Sequence, residues 1–198
     1  MLRLVTAATQ QPVSLMELKR HVEAADFLDD DEKLKIFLDA ATAYVGKRCE
    51  LVLAPVGYRI EMPGWCRDLQ ILVAPVRDIV AVRFLDANGD LQALDAAAYR
   101  WRRHATGATL VIDANVSLPA LASGRDDAVQ IDIDAGFDID GATGSGDDPE
   151  LVLPRQVVPA ILMLAAHWYA NREAAAKEAM TDIPFGVDAL TRQVMIYR

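Results

Sequence analysis

The sequence predicts an α+β fold: a helical bundle made from both chain ends, with a mostly antiparallel β-rich unit inserted between them. Three observations lead there. Apolar residues recur at helical spacing before about residue 50 and again after about residue 150. Between these regions the spacing changes to alternation, interrupted by turn residues. A glycine- and aspartate-rich stretch, DGATGSGDDP at 140–149, then separates the alternating region from the second helical one. The expected division is 1–49 for the first half of the helical unit, 50–150 for the β-rich insertion with its acidic loop, and 151–198 for the second half.

Taken in order, Ser14-Leu15-Met16-Glu17 is a capping box that opens a first helix, with Leu15, Leu18 and Val22 on one face. Asp29, Asp30, Asp31 and Glu32 suit the positive end of a second helix. Leu34, Phe37, Leu38, Ala41 and Val45 form its stripe, and Gly46 lies near its end. Tyr58 to Met62 reads as a strand stopped by Pro63-Gly64. Leu69 to Val73 and Ile79 to Leu85 are apolar runs of strand length, and Asn88-Gly89 supplies a turn. Tyr99 to Arg103 and Ala108 to Ile112 make a hairpin around 104–107. Val129 to Asp134 alternates and is expected to be half-buried, giving five to seven strands in all. Pro154 can open a long helix, because a first-turn residue needs no amide. Pro159 either marks the true start of the helix or bends it, the bend being the favoured reading, and the helix is expected to run to about Ala176. A last short helix, 185–197, sets Val187, Leu190, Val194 and Tyr197 on one side.

The bulk numbers exclude several classes. A chain of 198 residues that is 53% hydrophobic and 25% charged can bury a sizeable core. No run of about 18 apolar residues exists to span a membrane, and the first residues lack the features of a signal peptide. Cys49 and Cys66 are too few for a disulfide framework or zinc site and read as two buried free thiols in a cytoplasmic protein. The formal charge of −9 has one source: residues 126–150 hold nine of the 29 acids and no base. Such a field is local at physiological salt, so it does not exclude nucleic acid in general.

Little of the polar pattern demands catalysis. His21, His104 and His167 lie in different elements without metal-ligand spacing. The loop from Gly141 to Asp148 has no Lys-Ser/Thr after its glycines, and Asp138, Asp140, Asp147 and Asp148 would repel a phosphate. It offers no calcium-loop register either, and reads as a solvated acidic loop or a dock for a basic partner. Asp132 and Asp134 share a strand face about 7 Å apart, a spacing glycoside chemistry uses and plain alternation also produces. A carboxylate-dependent hydrolase and a protein-binding module outside any particle are the readings opposed to a structural part. No cofactor or metal is implied. Arg100, Arg102 and Arg103, with Trp101 and His104, form the one basic cluster interleaved with an aromatic; it reads as a solvated hairpin tip or a contact for DNA or an acidic partner.

The stretch HWYANREAA, 167–175, concentrates polar and aromatic side chains at one helix end. No serine, cysteine or acid stands where it would make His167 a base. His167 and Asn171, and Trp168 and Arg172, are helical neighbours four apart. Just before them, Ile161 to Ala166 is apolar on every side, so burial on every side is expected. Another subunit could complete that burial, which makes Leu162, Met163, Tyr169 and Arg172 candidate interface residues.

Four segments together carry a family resemblance: SLMELKRHVEA, DDDEKLKIFLDAATAYVGKRC, LPRQVVPAILMLAAHWYANREAA and the ending DIPFGVDALTRQVMIYR. They resemble the head–tail connector (adaptor) proteins of tailed bacteriophages and of phage-derived gene transfer agents. The resemblance covers both helical ends, and is most specific from Ala160 onward and at the Pro-Phe-Gly-Val…Tyr-Arg close. It implies a non-enzymatic subunit of a homo-oligomeric ring, commonly of twelve copies. That ring sits in the particle neck between the portal protein and a tail-side neck protein, a stopper or tail terminator. Double-stranded DNA would pass through it without specific binding, and assembly would take place in the bacterial host cytoplasm. The C-terminal segment, about 183–198, would dock onto the portal through Phe185, Val187, Leu190, Val194, Tyr197 and Arg198.

Overall fold

The computed structural model describes residues 1–23, 30–139, 148–171 and 184–196. The fold is mixed α+β: helices from both chain regions pack together, and antiparallel sheets lie between them in sequence. Two compact units result, one from 1–10 and 54–152, the other from the described residues of 11–53 and 153–197.

The helical unit holds α1 (Leu15–His21), α2 (Asp31–Cys49), α3 (Val157–Ala170) and α4 (Phe185–Arg192). The capping box that opens α1 is present: Ser14 Oγ accepts from the Glu17 amide at 3.2 Å, and Glu17 accepts from the Ser14 amide at 2.7 Å. The stripe of α2 is also as spaced, with Leu34, Leu38, Ala41 and Val45 buried. Gly46 lies inside the last turn, where an added Cβ would stand 3.1 Å from the Leu51 carbonyl. Glu50 makes the left-handed turn that ends the helix, at φ 57°. These residues meet Val157, Ala160, Ile161, Leu164 and Ala165 of α3 in one core. Each large side chain hidden there contributes about 1.5–3 kcal/mol.

Pro159 interrupts no hydrogen bond of α3. The helix begins at Val157, so Pro159 is its third residue, within the turn whose amides need no partner. The Ala160 amide makes the bond back to Gln156, at 3.2 Å. The described helix ends at Ala170, and its expected continuation to Ala176 lies outside the described residues.

The β unit contains a five-stranded sheet in the order β1 (Leu2–Thr6), β2 (Val56–Met62), β8 (Val129–Ala135), β4 (Val76–Leu85), β5 (Leu91–Ala93). A three-stranded sheet runs β3 (Asp68–Ile71), β7 (Gly107–Ile112), β6 (Tyr99–His104). Every named pair is antiparallel. Arg103 of β6 donates to the Val76 and Arg77 carbonyls of β4, at 2.5 and 3.1 Å, and ties the second sheet to the first. Among the described residues there are eight strands, more than expected. β1 and β5 are the additions, because short edge strands carry too few residues for a readable period.

β8 is more deeply buried than the half-buried strand expected. Val129, Ile131, Ile133 and Ala135 are covered, and Gln130 is buried as well. Its position explains this: β8 is the central strand, paired on both edges. Cys66 corrects another expectation, for it is partly exposed, while Cys49 is a buried free thiol. No described helix is long and apolar enough to cross a membrane.

Candidate functional site

Among the described residues no reaction centre is assembled around Asp132 and Asp134, and most of the acidic loop, 140–147, lies outside the described residues. Asp132 stands opposite Arg59 on β2, and it accepts from Arg59 at 2.6 Å and pairs with Arg83 of β4 at 3.0 Å. This hydrogen bond raises the Arg59 guanidinium further above its usual range. Asp134 lines a different feature, a cleft of about 250 Å³ shared with Thr6, Val56, Gly57 and Arg77. Burial, then the charge of Asp78 directly across the strand pair, pushes its carboxyl up. His104 instead turns to Thr106, at 3.0 Å. Among the described residues no group of three or more His, Cys, Asp or Glu is placed to hold a metal ion.

The basic cluster divides by strand alternation. Arg100 and Arg102 are exposed on β6, beside a cleft of about 260 Å³ lined also by Trp101, Thr109 and Val111. Arg100 pairs with Asp113. Arg103 points the other way, into its contacts with β4, and also holds Asp148 at 2.6 Å. Its role is structural, which leaves Arg102 as the cluster's arginine without an ion pair among the described residues.

The HWYANREAA stretch is the end of α3, and its polar groups serve that end. Asn171 Nδ2 donates to the His167 carbonyl at 2.8 Å, closing the last turn. Trp168 meets Tyr44 of α2 edge to face, with centroids 6.2 Å apart. Tyr169 Oη donates to Asp30 at 2.7 Å. Leu162, Met163 and Tyr169 are partly buried against the core of their own unit. Arg172 lies outside the described residues.

The C-terminal segment is seated on the same core. Gly186 allows close approach, since an added Cβ would fall 2.5 Å from Met163 Cε. Val187 and Thr191 are fully buried, and Leu190 and Val194 pack partly buried beside them. Arg48 also holds α4, through Asp188 and through Thr191 Oγ1, the latter at 3.0 Å. The Ile196 amide bonds the Cys49 carbonyl at 3.1 Å, and burial pushes the Cys49 thiol up. Phe185 alone of these apolar side chains faces out, 87% exposed. Tyr197 and Arg198 lie outside the described residues.

One surface escapes sequence reasoning altogether. Every residue of β1 is exposed, and Leu2, Leu4 and Val5 each show about half their surface (48%, 52% and 50%). The run LRLVT carries β-branched and apolar residues, a strand signal too short to stand out.

No protein-family model matches the chain, and no curated protein does. Solved structures do match, at full length. One is a chain from the neck of an empty gene transfer agent particle computed with C6 symmetry, 28% identical, with a TM-score of 0.75 over 100% of this chain and 96% of that one. A second comes from the virion of a native gene transfer agent particle, with 28% identity, the same coverage of 100% and 96%, and a TM-score of 0.74. A third comes from the neck of the native particle computed with C12 symmetry, again 28% identical over 100% and 96%, with a TM-score of 0.70. Along its whole length this chain is similar to a neck protein of gene transfer agent particles. The likeness embraces both units, so the β unit is part of the shared architecture as much as the helical one.

Proposed function

We propose that this protein is a non-enzymatic head–tail connector subunit in the neck of a gene transfer agent or phage particle. Copies form a ring, of twelve subunits, between the portal protein and a tail-side neck protein, and double-stranded DNA passes through it. The observation that carries this reading is the full-length match to neck chains from symmetric particles at 28% identity. The site geometry supports it: Asp132 is neutralised by two arginines, so it does not face a substrate.

Portal docking is assigned to the C-terminal segment, about 183–198. Val187, Leu190 and Val194 fix α4 to its own unit, and Phe185 is the exposed anchor that enters a portal pocket. Leu162, Met163, Tyr169 and Arg172 are proposed to border a neighbouring copy, and Arg100 and Arg102 to face the DNA or an acidic neighbour.

Quantitative mass spectrometry of purified particles tests the assignment, with this chain counted against the portal protein. A ratio near one to one is expected. Particles that are intact and lack the chain would overturn it.

A further inference from the structure

The five-stranded sheet ends at two edges of unlike character. At one, β1 extends the apolar face of the sheet one strand beyond its cover. Leu2 and Leu4 stand opposite Ile60 and Tyr58, which stand opposite the buried Ile131 and Ile133. Leu2 and Leu4 therefore continue the row that forms the core, yet remain about half exposed (48% and 52%). An open edge strand of this kind is a template for association, and natural sheets blunt such edges with charge or proline. Here Arg3 is the sole charge on the strand, and its side chain is 56% exposed beside Glu61 at 3.5 Å.

At the other edge, β5 is three residues long, each of them exposed, and it carries Leu91, which is half exposed. Its surroundings are acidic: residues 86–99 hold Asp86, Asp90 and Asp95 with no base, whereas residues 1–13 hold Arg3 with no acid. The two edges thus differ in charge, with Arg3, also near Glu61, at one and the aspartates at the other, and among the described residues each offers exposed apolar side chains and one strand edge without a partner strand. They also belong to opposite sides of one sheet. A closed ring of identical copies needs just that, two different surfaces that fit each other head to tail.

We propose that β1 of one copy lies against the β5 edge of the next, so that the sheets form part of the subunit contact in the ring. This rests on the neck-ring reading given above. The contact covers Leu2 and Leu4 and brings Arg3 toward Asp90 and Asp95.

Cross-linking in assembled particles tests it. Leu4→Cys and Gln92→Cys, both exposed, are combined in a Cys66→Ser background and treated with a short bismaleimide that tolerates a few residues of register. A ladder of covalent multiples that needs both cysteines is expected, with each single variant remaining monomeric on a denaturing gel. A normal content of the double variant in particles, without a ladder, overturns the proposal. A second variant covers failed assembly of the first. Leu2→Glu with Leu4→Glu is expected to leave the free chain folded and cooperative with a modestly lowered thermal midpoint, while its incorporation into particles at a temperature well below that midpoint falls at least tenfold. Wild-type incorporation of that variant also overturns the proposal. Absence of the unmodified chain from particles would instead remove the neck reading itself, so the two failures are distinguishable.

Discussion

The helical unit closes a core among its own helices, whereas the sheet unit leaves an apolar edge strand open. In the first, α1, α2 and α4 cover one face of the apolar helix α3, where Val157, Ala160, Ile161, Leu164 and Ala165 are buried, while Leu162 and Met163 on its other face are only partly buried, not covered on every side as the sequence predicts. In the second, the central strand β8 is sealed on both edges while β1, on the same apolar face, remains open. The difference follows from geometry. A helix can be surrounded by three neighbours from its own chain, whereas an open sheet always retains two edges. A closed core makes the helical unit a stable frame, and the open edge makes the β unit a place where another strand can add.

The largest expected effect probes that frame. Leu164→Ala removes a side chain 1% exposed at the centre of the helical core. It should cost about 3–4 kcal/mol, as transfer and cavity terms add. Ile36→Ala on α2, where the side chain is 65% exposed, should change stability by less than about 0.5 kcal/mol. Chemical denaturation of the full chain measures both. Equal effects would mean that the helical core is not closed as described.

A smaller effect separates the units by their inner ion pairs. Arg77 and Asp138 of the β unit meet at 2.6 Å with side chains only 12% and 5% exposed. Lys19 and Asp31 of the helical unit meet at 2.7 Å, but Asp31 is 34% exposed. Removing Asp138 leaves a guanidinium buried without its carboxylate, so Asp138→Ala should cost roughly 3 kcal/mol. Lys19→Met keeps the apolar stem but leaves the buried Asp31 Oδ1 without its ammonium; the rest of that carboxylate reaches water, so the cost should be smaller, about 1–2 kcal/mol. The reverse ranking in denaturation would show that the pair in the helical unit is the more desolvated one.

How much of this was legible follows from where each signal resides. The capping box at Ser14, the stripe of α2 and the hairpin of β6 and β7 are local patterns, and the structure keeps them. Pro159 was misread because its effect depends on one quantity the pattern leaves open, the first residue of the helix. The depth of β8 was underestimated because alternation reports two faces, whereas burial of Gln130 depends on being the central strand. The amphipathic spacing of Val187, Leu190 and Val194 predicts one apolar side but does not say what covers it; in the structure these residues pack on their own core. The open edge at Leu2–Thr6 had no signal beyond five residues of strand-forming character.

The smallest effect is one of sign, and it also divides the units. In the helical unit, hydrogen bonds from the Ser14 backbone and side chain hold the Glu17 carboxyl below its ordinary range. Its contribution is therefore present above the unfolded value of about 4.5 and is lost as pH falls through the lower folded value. In the β unit, burial and Asp78 raise Asp134, so its ionised form opposes folding. Below the unfolded value of about 3.8 that penalty is absent, and it grows as pH rises through the folded value. Glu17→Gln should thus be less stable than the parent chain at pH 7 and converge with it in acid. Asp134→Asn should be more stable than the parent at pH 7 and also converge in acid. Both differences should stay within about 0.5 kcal/mol, because both groups retain solvent contact. Denaturation midpoints taken between pH 3 and pH 7 read the two trends directly. If both variants shifted in the same direction at pH 7, the two carboxyls would share one environment, and the electrostatic contrast between the units would be lost.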